Sequence, residues 1–214
     1  MNAPGTIDRA LGKARLEALS DGVFAIAMTL LVLEFKIPEL PHHPTNSEVL
    51  HALVLLGPMA FSFTLTFVLT GSFWYMHHVT FHNTRYVTRG LCAINVLFLM
   101  FISLLPFSTA LLGRVGPGHP VALAVYFGNQ ALLGVVLNLH WLYGRRHHLI
   151  VSPPTDPATR LLIAAHPLGC AAALATVAIY PPSSYYSLVA VLAAARMIAR
   201  RRFKALPADA PAPI

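Results

Sequence analysis

The sequence predicts an all-α integral membrane protein with six transmembrane helices, and three observations predict it. Of the 214 residues, 56% are hydrophobic and only 11% are charged, with a mean hydropathy of +0.63, whereas soluble domains carry about 25% charge. The apolar residues fall into blocks of about 20 or more, the length a helix needs to cross roughly 30 Å of hydrocarbon. They show none of the alternation of a closed barrel. Lys and Arg gather in alternate connections between these blocks, as the positive-inside rule requires of a multi-pass chain.

The first span, about 15–37, reads RLEALSDGVFAIAMTLLVLEFKI. Glu17 flanks it, Asp21 interrupts it and it lacks a small-residue cleavage site, so it is expected to stay in the membrane. The second block, about 48–83, is long for one crossing, spanning roughly 50 Å as a single helix. Splitting it in two would scatter the basic residues to both sides, so it is read as one long helix kinked at Gly57-Pro58. Four further spans follow at about 88–112, 119–146, 159–180 and 184–203. Ser152 or Asp156 is placed to cap the fifth. Gly169, Ala171 to Ala173 and Ala193 to Ala195 give the last two spans small residues, which let helices approach closely in lipid. Residues 1–206 make one helical domain, and the tail 207–214, PADAPAPI, is expected to be disordered.

With six spans, 13 of the 15 basic residues lie on the side of the two termini, leaving only Lys36 and Arg114 opposite. Both termini are therefore expected in the cytoplasm, with the protein in the cell membrane. The net charge of +7 follows from that topology. The RRFK run at 201–204 reads as an anchor to anionic lipid headgroups, and no nucleic-acid partner is expected.

Few residues offer chemistry. No nucleophile elbow, P-loop or dinucleotide fingerprint occurs, so the chain is not read as an enzyme and no cofactor is expected. Cys92 and Cys170 sit alone inside apolar spans and imply no disulfide. His78 and His82 have i, i+4 spacing, but neither HExxH nor CxxC accompanies them, and a metal or haem site is not expected. No TVGYG-like segment is present, so if ions cross, side chains rather than stacked carbonyls must select them.

Two features of the first span remain. Ile26, Thr29 and Leu33 share one narrow stripe of a helix. The stripe either packs against a neighbouring helix, or copies of it surround an axis, with apolar rings forming a constriction and Thr29 a hydroxyl ring between them. Asp21 needs donors from other helices, because a carboxylate within a membrane span is costly. Trp74, His77, His78 and Asn95 are the candidates at similar depth. A relay between Asp21 and His77 in a proton-coupled secondary transporter is the competing reading, although no internal repeat of the kind that frames many transporter sites is visible. Glu34 and Glu39, near the extracytoplasmic end, either concentrate cations or are simply solvated.

RLEALSDG followed by AIAMTLLVLEFKIP, then WYMHHVTFH, then Asn95 ahead of LLPFST, together resemble the bacterial members of the lysosomal potassium channel family, transmembrane protein 175. The family's mark is Arg-x-x-x-Phe-Ser-Asp at the start of the first helix. Arg15, Ser20 and Asp21 match it, and Leu19 stands where Phe is usual. The resemblance implies a homotetramer of six-helix subunits whose first helices line a pore permeable to potassium and other monovalent cations. It implies that Ile26 forms the aliphatic constriction, Thr29 the pore-facing hydroxyl and Leu33 a second apolar ring. It implies too that Arg15, Ser20, Asp21, Trp74, His77 and Asn95 brace the pore helix, with the aromatic packing of that network in question because of Leu19. Weak preference for potassium over sodium is expected, since hydroxyl rings strip an ion less completely than carbonyl rings.

Overall fold

The computed structural model describes residues 6–116, 118–151, 157–177, 179–181 and 183–203; of 6–11, 157–160, 162 and 199–203 it describes the backbone alone. Among them are helices α1 (Thr6–Leu30, continued by a 3-10 turn, Leu31–Glu34), α2 (Asn46–Leu55), α3 (Gly57–His82) and α4 (Arg89–Ser103). Then come α5 (Leu105–Val115), α6 (Pro120–Arg146), α7 (Pro157–Val177) and α8 (Ser183–Phe203). Among the described residues, four stretches are long and apolar enough to cross a membrane, namely Gly12–Glu34, Gly57–His82, Arg89–Val115 and Pro120–Arg146. Ile163–Val177 and Ser183–Ile198 are shorter apolar helical stretches. The expected cap at Ser152 or Asp156 and the tail 207–214 lie outside the described residues.

Proline decides where the helices stop, and here the structure corrects the sequence reading. The block at 48–83 is two helices that break at Leu56, rather than one kinked helix. Pro58 has no N–H to offer the carbonyl four residues back and its ring crowds that carbonyl, so the Leu56 N–H turns to Leu53 O at 3.1 Å and the helix restarts with Pro58 in its first turn. Pro106 does the same to the third span, which breaks at Leu104 into α4 and α5. A capping box opens α2: Glu48 accepts from the Thr45 backbone N–H at 2.7 Å, and Thr45 Oγ1 accepts from the Glu48 N–H. These bonds hold the Glu48 carboxyl below the usual carboxylate range. The first helix also begins earlier than expected, at Thr6.

Pro167 is tolerated inside α7 because a neighbour supplies what it removes. The carbonyl it leaves without an intrahelical donor belongs to Ile163, and Asn138 Nδ2 on α6 donates to that oxygen at 2.8 Å. Gly134 makes room: a Cβ there would stand 2.9 Å from Pro167 Cδ. Membranes admit a proline within a spanning helix on these terms, with the freed backbone group satisfied by another helix.

Two apolar clusters hold the bundle. One joins Phe24 and Ala27 of α1 to Phe73 and Met76 of α3, Phe98 and Ile102 of α4, and Leu133 and Leu137 of α6. The other joins Leu69, Leu112, Leu123, Tyr126, Phe127, Cys170 and Leu188. A buried polar layer adjoins the second cluster: Thr66 Oγ1 lies 2.9 Å from Thr109 Oγ1 and 3.1 Å from the Tyr126 hydroxyl, which accepts from Gln130 Nε2 at 3.3 Å. Cys92 is half-buried and Cys170 buried, both as free thiols.

Candidate functional site

The first helix has two unlike faces. Leu16, Ser20, Phe24, Ala27 and Leu31, at helical spacing, are buried against the rest of the chain. Arg15, Leu19, Gly22, Ile26, Thr29 and Leu33 are exposed, and at 100° per residue they fall within about 40° of a single line. Ile26 is 60% exposed and Leu33 68%. Among the described residues, no helix of this chain covers the Ile26, Thr29, Leu33 stripe. Leu19, 51% exposed, lies on this open face too, so its position belongs to the stripe rather than to packing behind it.

Thr29 sits on that face with its proton already committed. Its Oγ1 lies 2.9 Å from both the Ala25 and the Ile26 carbonyl oxygens, so the hydroxyl hydrogen turns back onto the helix. What it offers outward is lone pairs.

Behind the open face runs a directional chain of hydrogen bonds. His77 Nε2 donates to Asn95 Oδ1 at 2.8 Å, Asn95 Nδ2 donates to Ser20 Oγ at 3.0 Å, and Ser20 Oγ donates to Leu16 O at 2.8 Å. The chain ends on the Leu16 carbonyl, which can only accept, and with these partners His77 carries its proton on Nε2. The three side chains are buried and tie α1 to α3 and α4. Phe24 and Phe98 flank the His77 ring at 5.9 and 5.4 Å.

Asp21 stands apart from this chain. It accepts from Trp74 Nε1 at 2.9 Å, one of the donors the sequence suggested, and both residues are exposed. The expected tie to Asn95 belongs to Ser20 instead, and His77 reaches α1 only through Asn95, because neighbours on a helix point about 100° apart and the turn carries Ser20 inward. A direct Asp21–His77 relay therefore has no contact to run on. Arg15 is exposed and makes no hydrogen bond or ion pair among the described residues. Lys13 anchors this end of α1 instead, donating to Thr84 O at 2.8 Å.

At the other end of the stripe, Glu34 is paired with Arg114 of α5 at 3.0 Å. Its charge is thus largely spoken for, which weighs against the cation-concentrating reading; Glu39 is exposed. His78 and His82 stack 6.3 Å apart, with Trp74 stacked on His78 at 5.8 Å. No group of three or more His, Cys, Asp or Glu side chains placed to hold a metal ion occurs among the described residues. Sequence reasoning missed His140, which lies parallel to the His77 ring at 6.0 Å and is buried. Its only signal was a lone histidine in the apolar run of α6.

These helices define a multi-pass membrane protein whose first helix keeps one face open. The family model described as "Endosomal/lysosomal potassium channel TMEM175" matches residues 15–106. A potassium channel of Streptomyces collinus is 35% identical over 162 residues, covering 72% of this chain and 77% of that protein. A potassium channel of Chamaesiphon minutus is 35% identical over 144 residues, covering 66% and 70%. The human endosomal/lysosomal proton channel TMEM175 is 35% identical over 103 residues, which cover 46% of this chain and 20% of the human one. The crystal structure of a lysosomal potassium-selective channel TMEM175 homologue from Chamaesiphon minutus superposes with a TM-score of 0.69 at 31% identity, covering 89% of this chain and 98% of that one. The chain belongs to the TMEM175 family, a family of cation channels.

Proposed function

We propose that this chain forms a potassium-permeable, weakly selective cation channel of the cell membrane, a homotetramer in which the first helix of each of four subunits lines the pore and both termini are cytoplasmic. The observation that carries this reading is the division of α1 into a buried face and an open face that includes Ile26, Thr29 and Leu33, in a member of a cation-channel family. Around an axis, Ile26 and Leu33 make apolar rings that oppose hydrated ions by dewetting. Thr29 turns four oxygens inward as acceptors, since its hydrogen is held by the helix. Four such oxygens replace only part of a hydration shell, and modest selectivity follows. Potassium is the permeant ion, and no cofactor takes part.

Ser20, His77 and Asn95 hold the back of the pore helix, while Asp21 and Trp74 hold its flank. Arg15, at the foot of the stripe, joins this bracing set only through a neighbouring subunit, having no partner among the described residues of its own. The test is potassium flux into liposomes reconstituted with the purified protein, followed by a potassium-sensitive dye. Passive flux down the gradient that dissipates when potassium is equal on both sides is the expected result. Uptake against a gradient, coupled to protons, would overturn the channel reading in favour of a transporter.

A further inference from the structure

A cavity of about 930 Å³ opens between α3 and α8, away from the open stripe of α1; ligand pockets are typically roughly 300–1,000 Å³. Leu65, Val68 and Leu69 of α3 form one wall, and Val189, Leu192 and Ala193 of α8 the other. Tyr75, Arg196 and Met197 stand at one end. The two helices run in the same direction, since Phe61 and Tyr185, near their starts, stack edge to face at 5.2 Å, and Tyr75 and Arg196, further along each, line the same cavity. The apolar walls therefore lie toward their starts and the polar end toward their finish.

Two polar groups mark that end. His166 of α7 lines the cavity, is 2% exposed, and its Nε2 has no hydrogen-bond partner among the described residues. A buried ring nitrogen left in this condition is costly. Arg196 is exposed and forms no ion pair among the described residues. Gly169 of α7 packs on Leu188 of the antiparallel α8, a Cβ there standing 2.9 Å from Leu188 Cδ1. Counting back to His166 brings the level on α8 to about Leu192, so Arg196 lies one turn, about 6 Å, nearer the end of α8. A positive charge one turn outside a buried hydrogen-bonding group, with apolar walls further in, repeats the order of a phospholipid: phosphate, glycerol ester, acyl chain.

We propose that this groove binds one anionic phospholipid of the surrounding bilayer, its phosphate on Arg196, its glycerol-ester region against His166 Nε2 and an acyl chain between α3 and α8. The charge at the mouth selects the anionic headgroup over a zwitterionic one. The site does not depend on ion conduction, and its failure leaves the channel reading standing.

Native mass spectrometry of the purified protein, with palmitoyl-oleoyl phosphatidylglycerol or phosphatidylcholine added, tests it. The expected result is retention of the phosphatidylglycerol about fivefold better, the preference one basic residue near a membrane surface confers. Arg196→Gln should remove the preference, while Arg85→Gln, in a different basic loop, should keep it. His166→Phe should weaken retention of both lipids, and Ala193→Trp, which fills the groove, should abolish it with the mass of the assembly unchanged. Equal retention of the two lipids by the parent protein, or a preference that survives Arg196→Gln, would overturn the proposal. So would disruption of the assembly by Ala193→Trp with lipid retention intact, which would mean that a second copy of the chain covers the groove.

Discussion

Ile26 and Thr29 are a helical turn apart and have opposite effects on water. Ile26 repels it and Thr29 competes with it for the ion. Ile26→Ala should raise potassium flux in liposomes by widening the apolar ring, whereas Thr29→Ala should leave the flux substantial and move the potassium and sodium permeabilities closer together, read from reversal potentials under bi-ionic conditions. If neither substitution changes the currents, the stripe is not the path. Behind it, Asn95 serves two partners at once, His77 and Ser20. A double-mutant cycle of Ser20→Ala and Asn95→Ala, scored by unfolding in detergent, should give a coupling of about 0.6 kcal/mol and below about 1.7, the range for interhelical hydrogen bonds in membranes. The stripe was legible as a spacing, but nothing in it said which way it faced. α1 is apolar on both sides, Phe24 and Leu31 behind and Ile26 and Leu33 in front, so hydropathy alone could not separate core from open face. Of the donors the sequence offers Asp21, the structure brings Trp74 to it, whereas Asn95 goes to the neutral neighbour Ser20.

Among the elements, proline has two outcomes in this chain, and the surroundings choose between them. Pro58 and Pro106 end one helix and start another, whereas Pro167 stays inside α7 because Asn138 answers the Ile163 carbonyl. Asn138→Leu, nearly the same size without the donor, should therefore destabilise the protein by about 1–3 kcal/mol, the cost of leaving a buried carbonyl without its donor, seen as a lower melting temperature in detergent. The sequence showed a turn signal at Gly57-Pro58, whereas the break at Pro106 was not read from it; whether a proline breaks or bends a helix depends on a donor from another helix, which no local pattern contains. At the end of the pore helix, Arg114 neutralises Glu34. Arg114→Gln should release that carboxylate, raising single-channel cation conductance at low ionic strength. The gain should vanish in concentrated salt, where the screening length falls from about 30 Å at 0.01 M to about 3 Å at 1 M.

For the whole molecule, hydropathy and basic-residue asymmetry sufficed to read a multi-pass helical bundle, because lipid demands long apolar helices. They could not reveal how copies meet, since lipid-facing and subunit-facing residues are equally apolar. If four α1 helices surround an axis, Ile26→Cys in a background lacking Cys92 and Cys170 should form disulfide-linked dimers under mild oxidation, visible on a non-reducing gel, while Ala27→Cys, whose parent residue is buried against its own subunit, should not. The bundle also contains a ladder. Ser62, Thr66 and Thr70 place a buried hydroxyl on the same side of α3 at every turn, and each gives its hydrogen to its own helix, to the carbonyls of Pro58, Ser62 and Thr66. A slide of α3 by one turn, about 5.4 Å, would exchange one rung for the next opposite Thr109 and Tyr126. The ladder alone would fit at any rung; the bonds from Trp74 to Asp21 and from His77 to Asn95, with Phe73 packed against His166 at 4.3 Å and Phe98 at 6.2 Å, hold α3 at one.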